Sequence, residues 1–138
     1  MERRWNSQIS GLAGELFVAA ELLKRELQVS LTFGNAKSID LFAYCEQEKK
    51  TYTIQVKTLR KTNCFPLQIQ NVIPDHVYVF VLLNRPGHAV EYFILRGREI
   101  VSNEKTLYCK GNGRADRAAV KIGPLRTRYQ DRWELFGS

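Results

Sequence analysis

The sequence predicts an α+β fold: a mixed β-sheet flanked by helices, with the N-terminal helix packed on the sheet. Three observations lead there. A long segment of helical periodicity comes first, several short β-rich runs separated by turn signals follow, and short helical segments close the chain. The length, 138 residues, suits one domain over residues 1–138 and a self-sufficient core.

The helix is expected over residues 8–27. Ile9, Leu12, Leu16, Ala20, Leu23 and Leu27 recur at three- and four-residue steps, which would make them its core-facing side. Ser7 or Ser10 would cap it. Gly11 and Gly14 lie in its first turns, where glycine weakens a helix unless a close approach requires it. Residues 29–33 and 39–44 read as strands around a Gly34-Asn35 turn. A polar tip at residues 46–50 leads to a return strand at residues 52–59, and residues 67–72 alternate apolar and polar as a strand would. Residues 76–83 are β-branched and aromatic, as in a buried central strand; Asn84-Arg85-Pro86-Gly87 turns the chain into a strand at residues 90–95. Short helices are expected near residues 97–103 and 130–136, with Gly111-Asn112-Gly113 marking a mobile basic loop.

At 44% hydrophobic and 25% charged residues, with 4 Pro, the composition excludes disordered and collagen-like classes. The longest apolar run, residues 77–83, is too short to span a bilayer, and no apolar stretch follows residues 1–6, so neither a membrane partner nor a signal peptide is expected. Cys45, Cys64 and Cys109 form no CxxC pair, and His76 and His88 complete no zinc pattern. Disulfides and structural zinc are therefore not expected, and the compartment inferred is a reducing cytoplasm. The net charge is +7: residues 1–104 hold 13 basic and 11 acidic side chains, residues 105–138 hold 8 and 3. An excess concentrated in the last quarter suits a polyanion such as nucleic acid; the plain alternative is a solvated basic tail.

Four polar residues stand where the patterns want apolar ones. Glu15 lies beside Leu12 and Leu16, and Asp40 opens a strand that is otherwise hydrophobic. Gln55 and Lys57, two apart, share one face of a strand whose other face carries Ile54 and Val56. If the two strands pair through the polar tip, Asp40 can approach the Gln55–Lys57 face beneath the helix N-terminus. Such oxygens suit a hard divalent cation, with Asp40 as principal ligand and the Gln55 carbonyl oxygen, the Val56 backbone carbonyl and Glu15 completing or tuning the shell. Lys57 can orient a water, accept its proton or stabilise charge on phosphorus. Taken singly, each residue has a plainer reading: Glu15 a first-turn acid, Asp40 a turn residue, Gln55 and Lys57 a solvated strand face. One shared site accounts for all four together.

Ile39-Asp40, followed after a hairpin by Gln55-Val56-Lys57 and preceded by a helical Gly14-Glu15, resembles the PD-(D/E)XK nuclease superfamily. The stretch Ile54-Gln55-Val56-Lys57-Thr58 is similar to its intron-encoded homing endonuclease branch. The resemblance covers residues 8–60 by motif and the strands at residues 77–83 and 90–95 by layout. It implies an α/β restriction-endonuclease-like core, Mg²⁺-dependent (Mn²⁺ possible) hydrolysis of DNA phosphodiester bonds, and a homodimer or homotetramer. By that likeness Asp40 takes the metal-binding aspartate position, Gln55 the second acidic position, Lys57 the catalytic lysine and Glu15 the helix carboxylate. Ile39 replaces the motif proline. Gln55 replaces a carboxylate, which lowers the site's charge while keeping an oxygen lone pair.

Lys37, Arg60 and Lys61 would contact phosphates beside the site, and Arg114, Arg117, Lys121, Arg126 and Arg128 would track DNA. His76, Trp5 and Trp133 read as structural, and Tyr78, Phe80, Tyr92 and Phe93 as core. The runner-up function is a catalytically weak or inactive nucleic-acid-binding module on the same scaffold. A partner-binding subunit without nucleic-acid contact is the third.

Overall fold

The computed structural model describes residues 6–32, 39–109 and 118–137. The first helix, Ser7–Lys24 (α1), is capped not by Ser7 or Ser10 but by Asn6, whose side-chain oxygen accepts from the amides of Gln8 and Ile9. Such a cap is worth about 1 kcal/mol. The helix ends before residue 27 because Glu26 turns left-handed at φ 67°. The amides of Glu26 and Leu27 then donate back to the Leu23 and Leu22 carbonyls, a Schellman closure.

The helix is rotated relative to the face its periodicity predicts. Ser10, Gly14, Val18, Ala19 and Leu22 are buried, whereas Ile9 (61%), Leu12 (44%), Leu16 (48%) and Leu23 (55%) are exposed. The cause is local. A Cβ on Gly14 would lie 1.9 Å from the Thr58 hydroxyl oxygen, so this glycine is where helix and sheet come closest, and its neighbours must face inward with it. Gly11 has open space around it and serves no such approach.

Strands Gln28–Leu31 (β1), Leu41–Cys45 (β2) and Lys50–Leu59 (β3) form an antiparallel meander, with Lys49 at φ 52° in the β2–β3 turn. Phe33 and the Gly34-Asn35 turn lie outside the described residues. The strand expected at residues 67–72 is not formed. Phe65–Pro66 (β4) is followed by a single 3₁₀ turn, Ile69–Asn71. The reason is topological: β3 pairs in parallel with Val77–Leu82 (β5), and a parallel pair needs a crossover, which residues 60–76 provide. Glu91–Arg96 (β6) returns antiparallel to β5, so the sheet runs β1-β2-β3-β5-β6 with one parallel step. The expected short helix forms at Gly97–Ser102 (α2). Glu104–Leu107 (α3), Ala119–Val120 (β7, paired with β4) and Ile122–Arg128 (α4) follow, and a 3₁₀ turn, Trp133–Phe136, ends the described chain.

Two apolar layers sandwich this sheet. On one face α1 and the Trp133–Phe136 turn pack over Leu41, Ala43, Ile54, Val79 and Ile94. On the other, β4, β7, α2, α3 and α4 cover Tyr78, Phe80, Phe93 and Leu95. The aromatic strand residues and Trp133 are core, as expected. Among the described residues no helix is long and apolar enough to cross a membrane.

Candidate active site

The site begins where β2 runs out. Leu41 pairs with Ile54, yet the amide of Asp40 donates to the same Ile54 carbonyl at 3.0 Å. Two residues of one strand thus oppose one of the other, a bulge that re-aims the Asp40 side chain. The Val56 amide, next along β3, has no β2 residue left to bond. It donates instead to the Asp40 carboxylate (Oδ2) at 2.7 Å. Successive residues of a strand turn their backbone groups to opposite edges, so the Val56 carbonyl opens onto this same unpaired edge.

Glu15, one residue after the close approach at Gly14, meets Asp40 here. Burial, a hydrogen bond from its carboxyl to Asp40 and repulsion from that second charge raise the Glu15 pKa from 4.5 to about 7. Near neutral pH Glu15 therefore carries its proton about half of the time. Neither is ion-paired among the described residues.

Gln55 and Lys57 project from the opposite face of β3 to α1. Both line a cleft of about 680 Å³ whose far wall includes Pro66, Leu67 and Ala118 from the β4–β7 layer. Gln55 is buried (4% exposed) and its orientation is fixed. Its amide nitrogen donates to the Tyr78 hydroxyl oxygen at 2.9 Å and meets Nδ1 of His76 at 3.0 Å. That leaves the carbonyl oxygen as the open end of the amide. His76 accepts this bond as a neutral ring; burial lowers its pKa, with Asp75 opposing the effect. Tyr78 is itself held by the Ile73 amide at 2.9 Å.

The four predicted residues are thus brought to one segment in two halves. Glu15 and Asp40 meet on the α1 side, Gln55 and Lys57 share the cleft, and Val56, bonded to Asp40, lies between the latter two. Among the described residues no three His, Cys, Asp or Glu side chains form a metal cluster. The oxygen set available is two carboxylates, an amide and a backbone carbonyl. In the sequence His76 and Tyr78 have the character of a structural and a core residue. Only the parallel register, which sets Tyr78 opposite Gln55, brings them to the site, and nothing local in the sequence signals it.

Of the expected nucleic-acid contacts, Lys37, Arg114 and Arg117 lie outside the described residues. Arg60 donates from Nε to the Ser10 hydroxyl at 2.9 Å, anchoring the exit of β3 to α1, and Lys61 beside it is exposed. Lys121 and α4, with Arg126 and Arg128, cover the same sheet face that Gln55 and Lys57 leave. Arg126 is paired with Glu91 at 3.0 Å, so part of its charge is answered within the chain, while Arg128 is exposed.

This mixed sheet with a helix packed on it has a counterpart among solved structures. A solved structure of a bacterial homing endonuclease, I-Ssp6803I, superposes with a TM-score of 0.58 at 14% sequence identity, covering 95% of this chain and 93% of that one. No family model matches the sequence, and no curated protein matches it.

Proposed function

We propose that the chain is a metal-dependent endonuclease-like protein of PD-(D/E)XK type, in its QxK form, that hydrolyses DNA phosphodiester bonds. The observation that carries this reading is the Glu15–Asp40 carboxyl pair, fixed on the Val56 amide between Gln55 and Lys57. Two abutting carboxyls without a cationic partner among the described residues, an open backbone carbonyl on the same strand edge and an amide oxygen across the strand are the hard oxygens that Mg²⁺ or Mn²⁺ prefers. Asp40, Glu15, Gln55 and the Val56 carbonyl would hold the ion. Bound there, it would supply positive charge that polarises a phosphoryl oxygen and acidifies water. Lys57 places an ammonium in the cleft where charge on phosphorus grows during displacement. Glu15, titrating near neutrality, can hold or release a proton beside Asp40.

The partner is DNA, supported by the fold neighbour's description and by the basic groups Lys61, just past the end of β3, and Lys121 and Arg128, on the sheet face that the cleft opens from. Cutting both strands would use a homodimer or homotetramer, and the exposed stripe Ile9, Leu12, Leu16 and Leu23 on α1 is an apolar surface suited to a second copy. Asp40→Asn retains an acceptor for Val56, and Lys57→Ala removes only the ammonium. Each should reduce nicking of supercoiled DNA in Mg²⁺ or Mn²⁺ by at least 100-fold with an unchanged circular-dichroism spectrum. Wild-type rates in both variants would overturn the assignment.

The second reading, a nucleic-acid-binding module with weak or no activity, is favoured by Gln55 itself, whose amide brings no negative charge to the ion. DNA binding that falls steeply with salt, without cleavage in any divalent metal, would establish it.

A further inference from the structure

Outside the candidate site, two thiols the sequence gives no reason to associate stand against each other. The sulfurs of Cys64 and Cys109, separated by 45 positions in the chain, are 2.9 Å apart. A disulfide bond is about 2.05 Å long, so less than one ångström of movement separates contact from bond. Both residues are half-buried and within reach of a small oxidant, whereas Cys45 is buried in the other core.

We propose that Cys64 and Cys109 are a redox modification site: a dithiol that closes to a reversible disulfide and staples the outer wall of the Gln55–Lys57 cleft. Cys64 leads into Phe65-Pro66, and Pro66 lines that cleft. The Cys109 amide donates to the Ala119 carbonyl at 3.0 Å, next to Ala118, which lines it too. Non-covalently, this wall is a ladder only two residues long, Phe65 with Val120 and Pro66 with Ala119, extended by the bond from the Leu67 amide to the Ala118 carbonyl. A covalent link beside so short a ladder changes its opening more than it would beside a long strand.

The chemistry balances with a peroxide as oxidant. One thiolate sulfur attacks the O–O bond, becoming a sulfenic acid and releasing hydroxide. The second thiol sulfur then attacks the sulfenic sulfur, forming S–S and expelling the second oxygen as water. The sulfurs lose two electrons to the peroxide, and both thiol protons finish in the two waters. Contact with Cys109 and burial hold the Cys64 thiol above its usual pKa, opposed by the nearby Lys121 ammonium, which slows its attack on an oxidant.

The proposal is independent of the nuclease reading, because its test needs no DNA and no metal. The full chain is treated with a small excess of hydrogen peroxide, then denatured, and its thiols are titrated. One of the three thiols should remain, the intact mass should fall by about 2 Da, and non-reducing peptide maps should join the Cys64 and Cys109 peptides, all reversed by dithiothreitol. Hydrogen exchange of the Leu67 amide should slow at least tenfold in the oxidised form. Cys64→Ser and Cys109→Ser should each keep two thiols under the same treatment. Three surviving thiols in the wild type, a link through Cys45, a link between chains, or unchanged Leu67 exchange after the bond has formed would each overturn the proposal.

Discussion

Replacing Glu15 by Gln isolates the carboxyl pair at the centre of the site. The folded chain holds the Glu15 carboxyl at about 7 against 4.5 for a solvated one. An acid with a raised folded pKa binds its proton more tightly folded than unfolded, so ionising it works against folding. Below about pH 4.5 both states are protonated and the effect is absent. It grows between 4.5 and 7 and is complete above 7. Taken at face value, that displacement corresponds to about 3 kcal/mol. Glu15 is partly open to water, which screens the repulsion, and roughly 1 kcal/mol is the realistic size.

Glu15→Gln keeps the shape and a donor toward Asp40 while removing the charge. Urea unfolding followed by circular dichroism should therefore find the variant equal to wild type at pH 4 and about 1 kcal/mol more stable at pH 8. At that size the melting temperature rises by about 3 °C. Magnesium should narrow the gap at pH 8, since an ion that binds only the folded wild type at ten times its Kd adds about 1.4 kcal/mol. A stability difference that is flat with pH, or a wild type that gains on the variant as pH rises, would refute the account of the pair.

Gly14→Ala places a methyl group 1.9 Å from the Thr58 hydroxyl oxygen and should cost about 1–3 kcal/mol in urea unfolding; pairing it with Thr58→Ala should restore most of that loss. The Thr58 hydroxyl is buried without a partner among the described residues, so Thr58→Val alone should stabilise the chain by about 1 kcal/mol, read as a higher urea midpoint. Tyr78→Phe frees the Gln55 amide to rotate and should weaken Mn²⁺ binding in calorimetry about tenfold, but hardly at all in a Gln55→Glu background, where the two ends of the group are equivalent. Leu12→Glu with Leu16→Glu puts charge on the exposed face of α1. Light scattering should then report a smaller assembly with unchanged helix content, and an unchanged mass would remove that face from self-association.

What the sequence revealed and what it hid follow from the range of the forces involved. The β2–β3 hairpin was legible because strand alternation is a covalent property: Gln55 and Lys57 had to share a face whatever packed on it. Asp40 stood out because a carboxylate opening an apolar strand needs a reason, and the reason is the Val56 amide left over where β2 ends. The face of α1 was not legible. Ile9, Leu12, Leu16 and Leu23 lie on one stripe, and Ser10, Gly14 and Ala19 share another with Val18 and Leu22; a hydrophobic count favours the first. The sheet selects the second, because Gly14 over Thr58 permits a close approach that Leu12 or Leu16 would block.

The same logic explains His76 and Tyr78. A parallel pairing between β3 and β5 joins residues more than 20 positions apart through a crossover whose own sequence alternates like a strand. No local pattern could set Tyr78 opposite Gln55. Yet this pairing decides which end of the Gln55 amide faces the cleft. The residue types of the proposed site were visible in the chain; the hydrogen bonds that aim the amide among them exist only once the sheet has formed.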